Sequence, residues 1–139
     1  MQDIAAKGRQ ILISDVIWPL TKKVSMALTA IELKKIDNTV GALCRKRSPA
    51  HLKEKLRLEY SVIGHYVLIY ERRPRWNNPD EWIESGVAKL RYTRKTNQWQ
   101  LYWRRANIKW VKYEPCPANK DLATIVDEVD KDRYGCFFG

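Results

Sequence analysis

Apolar residues recur along this chain in two periods, and the change of period marks its elements. From Thr29 the pattern is helical. Leu33, Ile36, Val40 and Leu43 return every three or four residues, while Lys34, Lys35, Asp37 and Asn38 take the other side. Thr29 with Glu32 three residues on is a capping box, in which the hydroxyl takes an amide at the helix start and the carboxylate answers. Arg45, Lys46 and Arg47 put cations in the last turn, where they suit the helix dipole, and Pro49 stops the helix. The period then drops to two. Leu56, Leu58, Tyr60 and Val62 alternate with Arg57, Glu59 and Ser61, which predicts a strand with one buried face. Gly64-His65 makes a tight turn. Tyr66–Tyr70 is continuously apolar and predicts a central strand covered on both faces.

Arg72, Arg73, Pro74, Arg75 and Trp76 then leave the sheet, and the polar run Asn77–Trp82 reads as a loop. Three more strands follow. Ala88, Leu90 and Tyr92 alternate with Lys89, Arg91 and Thr93. Past a turn at Lys95-Thr96-Asn97, Trp99, Leu101 and Trp103 alternate with Gln98, Gln100, Tyr102 and Arg104. Past Ala106-Asn107, the residues Ile108, Trp110 and Lys112 alternate with Lys109, Val111 and Tyr113. Pro115 and Pro117 end this meander. Asn119 is then expected to cap a second helix, whose stripe is Leu122, Ile125, Val126 and Val129. Asp121, Asp127, Glu128 and Asp130 are expected to face water. Helix, five strands, helix is the α+β class: an antiparallel sheet of about five strands packed against an N-terminal and a C-terminal helix.

Residues 1–25 show neither period. We expect them to be an N-terminal extension, with Met26 as the natural start and 26–139 as one α+β domain. A length of 139 residues suits a single domain. No apolar run approaches the ~18 residues of a membrane-spanning helix, so no membrane partner is expected. The first residues do not read as a secretion signal, since Asp15 and Pro19 interrupt the apolar run 11–20. Three scattered cysteines without a C-x-x-C pair support neither a disulfide framework nor a metal site. The cytoplasm is the expected location.

Charge changes the picture. The chain carries 26 Lys and Arg against 16 Asp and Glu, net +10. The excess is densest over residues 71–112, with 11 basic and 4 acidic groups, and reverses over 113–139, with 3 basic and 6 acidic. Such a balance favours polyanionic partners. If Ala88, Leu90, Tyr92, Trp99, Leu101, Trp103, Ile108 and Trp110 point at the helices, the outer face carries Lys89, Arg91, Gln100, Tyr102, Arg104 and Lys109. That face offers cations to phosphates, an amide for hydrogen bonds and one ring for stacking. A solvated face kept soluble by Lys and Arg is the competing reading. Arg72, Arg73 and Arg75 form a basic loop beside it, able to bind phosphate bidentately or to pair with Glu71, Asp80, Glu81 or Glu84. Arg45–Arg47 could extend the same surface.

No catalytic residue, metal ligand or cofactor is expected. His51 and His65 have no Cys, Asp or Glu at ligand spacing. Glu59, Glu71, Asp80, Glu81 and Glu84 lack the strand-borne pattern of a Mg²⁺-dependent nuclease, and the one Glu-x-Lys, at Glu32, is used as a cap. Cys136 has no neighbouring His, and Phe137-Phe138 is expected to dock into the core. The favoured function is a non-enzymatic nucleic-acid-binding module, DNA or RNA. The alternative is a protein-interaction or adaptor subunit using the acidic last helix and the Phe-rich end. A metal-dependent nuclease ranks last. Oligomeric state is not readable.

Several runs in fixed order carry a resemblance. They are Leu56-Arg57-Leu58-Glu59-Tyr60, Arg73-Pro74-Arg75-Trp76, Val87-Ala88-Lys89, Trp99 through Trp103, Lys109-Trp110 with Tyr113-Glu114-Pro115, and Gly135-Cys136-Phe137-Phe138-Gly139. Over about residues 29–139 the chain resembles a bacterial family of small proteins, domain of unknown function 3024. The resemblance implies that residues 1–25 lie outside the domain. It brings no catalytic or ligand residue to any position here, so function is argued from side-chain chemistry.

Overall fold

The structure, a computed structural model, describes residues 28–105 and 109–138. The expectations for Met26, for the 1–25 extension, for the Ala106-Asn107 turn and for Ile108 lie outside the described residues.

The first helix, α1, runs Ala30–Ile36, passes a π-helical turn at Asp37–Gly41 and finishes at Ala42–Lys46. Its capping box forms as its residue types require. The Glu32 amide donates to the Thr29 hydroxyl at 3.1 Å, and the Thr29 amide to the Glu32 carboxylate at 2.9 Å. The π turn fits because residue 41 is glycine. The Asp37 carboxylate folds over it, and a Cβ there would lie 2.6 Å from Asp37 Oδ1. Arg45 answers by donating to the Asp37 carbonyl, and Tyr60 donates its hydroxyl to the Asp37 carboxylate.

After a short 3₁₀ turn at Ala50–Leu52, five strands follow: β1 Arg57–Ile63, β2 Tyr66–Arg75, β3 Asn78–Thr93, β4 Gln98–Arg104 and β5 Trp110–Lys112. All neighbours pair antiparallel in chain order, and a two-residue β6, Ala118–Asn119, shares the β4 edge with β5. A bulge between β2 and β3 leaves Val87 without an opposite residue. It lets Val87 and Ala88 both point into the core, at 3% and 0% exposure. The last helix, α2, spans Leu122–Lys131.

The inner face of the sheet, with Leu58, Val67, Ile69, Leu90, Trp99 and Leu101, packs against Ile36, Val40 and Leu43 of α1 and against Leu122, Ile125, Val126 and Val129 of α2. Each fully buried aliphatic side chain contributes about 1.5–3 kcal/mol relative to exposure. Phe137 joins this core as expected, 4.9 Å from the Tyr113 ring. Asp132, in the left-handed conformation at the end of α2, holds the chain end there by accepting from the amides of Phe137 and Phe138.

Four expectations are corrected. Residues 77–82 are no loop: β2 and β3 continue as a two-stranded arm that turns at Trp76-Asn77. Beyond Arg72 the arm has no partner on β1, and before Ala88 none on β4, among the described residues. β2 is not covered on both faces, because Tyr66, Leu68 and Tyr70 are half-buried on the helix-free side. The cap of α2 is Asp121, not Asn119. Asn119 instead accepts from the Asp121 amide at 2.7 Å, shaping the turn that presents the cap. Asp130 does not simply face water: Lys46 reaches it at 2.7 Å and Arg47 at 3.1 Å, tying α2 to α1.

Candidate nucleic-acid interface

Antiparallel register decides which side chains meet on the helix-free face. Lys89 lies opposite Tyr102, and Tyr102 opposite Lys112; Arg91 lies between Tyr66 and Gln100; Arg104 lies opposite Trp110. Directly opposite residues share a face, and so do alternate residues of one strand. Lys89, Arg91, Arg104 and Lys112 therefore stand among Tyr66, Tyr102 and Trp110. The Lys89 ammonium lies 4.4 Å from the Tyr66 ring centre and 6.0 Å from that of Trp110, and the Arg91 guanidinium 5.8 Å from Tyr66. These are cation–π distances. The face of Tyr66 thus holds two cations in place.

Trp110 has room on this face because of a glycine. Gly86 follows Tyr70 across the β2–β3 ladder, on the outer side. A Cβ on it would lie 3.0 Å from both Cη2 and Cζ2 of Trp110 and 3.5 Å from the Arg104 Cδ. The benzo end of the indole occupies the space that a side chain at position 86 would take.

The face divides electrically. Toward β1, Arg72 sits 3.7 Å from Glu59 and 3.4 Å from Glu84, while the guanidinium of Arg57 lies 4.4 Å over Trp82. That end is balanced. Burial pushes the Tyr70 hydroxyl up to about 12, so it is neutral there. Toward β5 the balance is lost: Lys89, Arg91, Arg104 and Lys112 form no ion pair among the described residues.

The residues singled out from sequence separate into two groups. Lys89, Arg91, Gln100, Tyr102 and Arg104 come together on this cationic half, with Gln100 accepting from the Thr93 hydroxyl at 3.1 Å. Arg72, Arg73 and Arg75 do not join them. Arg72 belongs to the balanced end, Arg73 pairs with Glu71 at 2.7 Å on the other face of the arm, and Arg75 pairs with Glu81 at 2.9 Å. Lys109 precedes β5 as an exposed residue whose carbonyl accepts from the Arg105 amide. It alternates with Trp110 and so does not share the outer row. Arg45, Lys46 and Arg47 do not extend the surface either; they hold Asp37 and Asp130 on the helical side.

Trp110 was expected to point at the helices and points outward instead. Val111 and Tyr113 take the inner side, and Tyr113 is 1% exposed. The signal was present in the alternation, since Lys112 shares the parity of Trp110 and a core-facing Lys is rare. Tyr66 and Lys112 also belong to this outer face. Tyr66 stands in an apolar run whose two sides look alike, and Lys112 shares the parity of the apolar Trp110. Among the described residues no three His, Cys, Asp or Glu side chains gather as a metal site. The three cysteines are free thiols.

Residues 28–139 match the family described as domain of unknown function (DUF3024), and the chain belongs to that family. No curated protein and no solved structure matches the chain.

Proposed function

We propose, for this member of the DUF3024 family, a non-enzymatic role in binding nucleic acid through the cationic half of the outer sheet face. The observation that carries the reading is the group of four cations without carboxylate partners among the described residues, Lys89, Arg91, Arg104 and Lys112, interleaved with three rings. Cations that merely keep a sheet face soluble have no need of aromatic neighbours, whereas phosphates and bases use both. The free thiols suit a reducing compartment, and we place the protein in the cytoplasm as part of the same proposal.

Fluorescence anisotropy of the full chain with labelled DNA and RNA tests this. Neutralising four phosphates gives a log–log slope of affinity against salt of about −3. The triple variant Lys89→Glu/Arg91→Glu/Arg104→Glu should bind at least tenfold more weakly at physiological salt, with its urea midpoint unchanged. Equal affinity of wild type and triple variant would remove this face from the account.

A second reading has one observation in its favour. Trp76, at the tip of the β2–β3 arm, is 91% exposed. An indole presented this way suits a protein pocket. A nuclease-resistant, salt-stable complex that Trp76→Ala abolishes would establish a protein partner.

A further inference from the structure

The reading above leaves the form of the nucleic acid open. Resting on it, we infer that the ligand is single-stranded and that its bases stack on Tyr102 and Trp110.

The width of the site argues against a duplex groove. The patch spans three adjacent strands, β3, β4 and β5. A major groove admits a helix or a two-stranded ribbon, not a third strand about 4.8 Å further across. A duplex resting on the face would meet the cations through its phosphates but would keep its base faces inside the stack. The rings would then contact nothing. A single strand exposes both phosphates and base faces.

The rings have different duties. Tyr66 carries Lys89 and Arg91 at its face. Tyr102 has no cation over its ring among the described residues, and Trp110 has only Lys89, at 6.0 Å. Tyr102 and Trp110 lie diagonally across the β4–β5 ladder on one face, within reach of neighbouring bases. Gly86 acts as a positioning residue by leaving space for the benzo end of Trp110 beside the Arg104 stem. The row of Lys89 and Lys112 flanks Tyr102, with Arg104 opposite Trp110. Each stacking ring thus has a cation beside it for the adjoining phosphate.

The test compares three ligands of equal length at physiological salt: oligothymidylate, an abasic strand with the same phosphates, and a duplex. Oligothymidylate should bind about tenfold or more tightly than the abasic strand, the scale of one or two base–ring stacks. Tyr102→Ala/Trp110→Ala should lose that margin and keep the salt slope, while Tyr102→Phe/Trp110→Phe should keep both. Equal binding of the thymidylate and abasic strands, or of thymidylate and duplex, overturns the stacking inference and leaves the phosphate reading standing. Loss in the Phe pair as large as in the Ala pair also overturns it, because the rings would then serve only packing. If the Ala pair fails to fold, the wild-type comparison of thymidylate with abasic strand still decides. Binding of none of the three by wild type overturns the parent reading and this inference together.

Discussion

Tyr113 packs its ring against Phe137 in the core, yet its hydroxyl has no hydrogen-bond partner among the described residues. A buried hydroxyl left unpaired costs about 1–3 kcal/mol of desolvation. Tyr113→Phe keeps the ring and removes that cost, so it should raise stability by about 1 kcal/mol, read from the urea midpoint. A lower midpoint would mean that the hydroxyl is bonded in solution. Cys44 makes a different case. It is 6% exposed on the buried side of α1, and burial, more than the nearby Glu59 carboxylate, pushes its thiol up to about 12. The thiolate is the reactive form. At pH 8 a disulfide reagent should therefore label Cys44 only after denaturation, which peptide mapping by mass will show. Labelling of Cys44 in the native protein would contradict the buried setting.

The β2–β3 arm is held by pairs along it: Arg73 with Glu71, Arg75 with Glu81, and Trp82 beneath Arg57 and Arg72. Its tip contributes nothing to the core, so Trp76→Ser should move the urea midpoint by less than about 0.5 kcal/mol equivalent. A larger loss would show that the indole packs somewhere. Pro74, Asn77, Asn78 and Pro79 are turn residues locally, and only their cross-strand partners make them a hairpin. α2 was legible because its four apolar residues sit on one stripe and all four are buried. Its cap was misplaced by two positions because Asn119 and Asp121 are both capping residue types. The site was legible in β3 and β4, where polar and apolar residues alternate cleanly. It was lost in β5, where Trp110, Val111 and Tyr113 are all apolar enough to face either way and the core decided.

Across the whole molecule, two carboxylates tie separate layers together. Glu32 joins the start of α1 to the β3–β4 turn through Arg94, and Asp130 joins α2 to the end of α1 through Lys46 and Arg47. The Arg94 hydrogen bond holds Glu32 below its ordinary range, and the Lys46 hydrogen bond does the same for Asp130. A carboxyl depressed in the folded state contributes stability that is present above its unfolded value and lost as pH falls through the folded one. The urea midpoint should hold steady down to about pH 5 and decline below about pH 4. Glu32→Gln and Asp130→Asn should each lower stability at pH 7 by about 1 kcal/mol and flatten that acid decline. An unchanged acid limb in both variants would sink the assignment. The open margin of the arm has a consequence of another kind. A long bare strand margin invites a second chain to extend the sheet, and from there fibres grow. Here an incoming copy would find Pro79 with no amide to offer. An antiparallel match centred on Trp82 would set Asp80 of one chain against Glu84 of the next. Charge repulsion at that seam disfavours such growth from a strand margin that has no partner among the described residues.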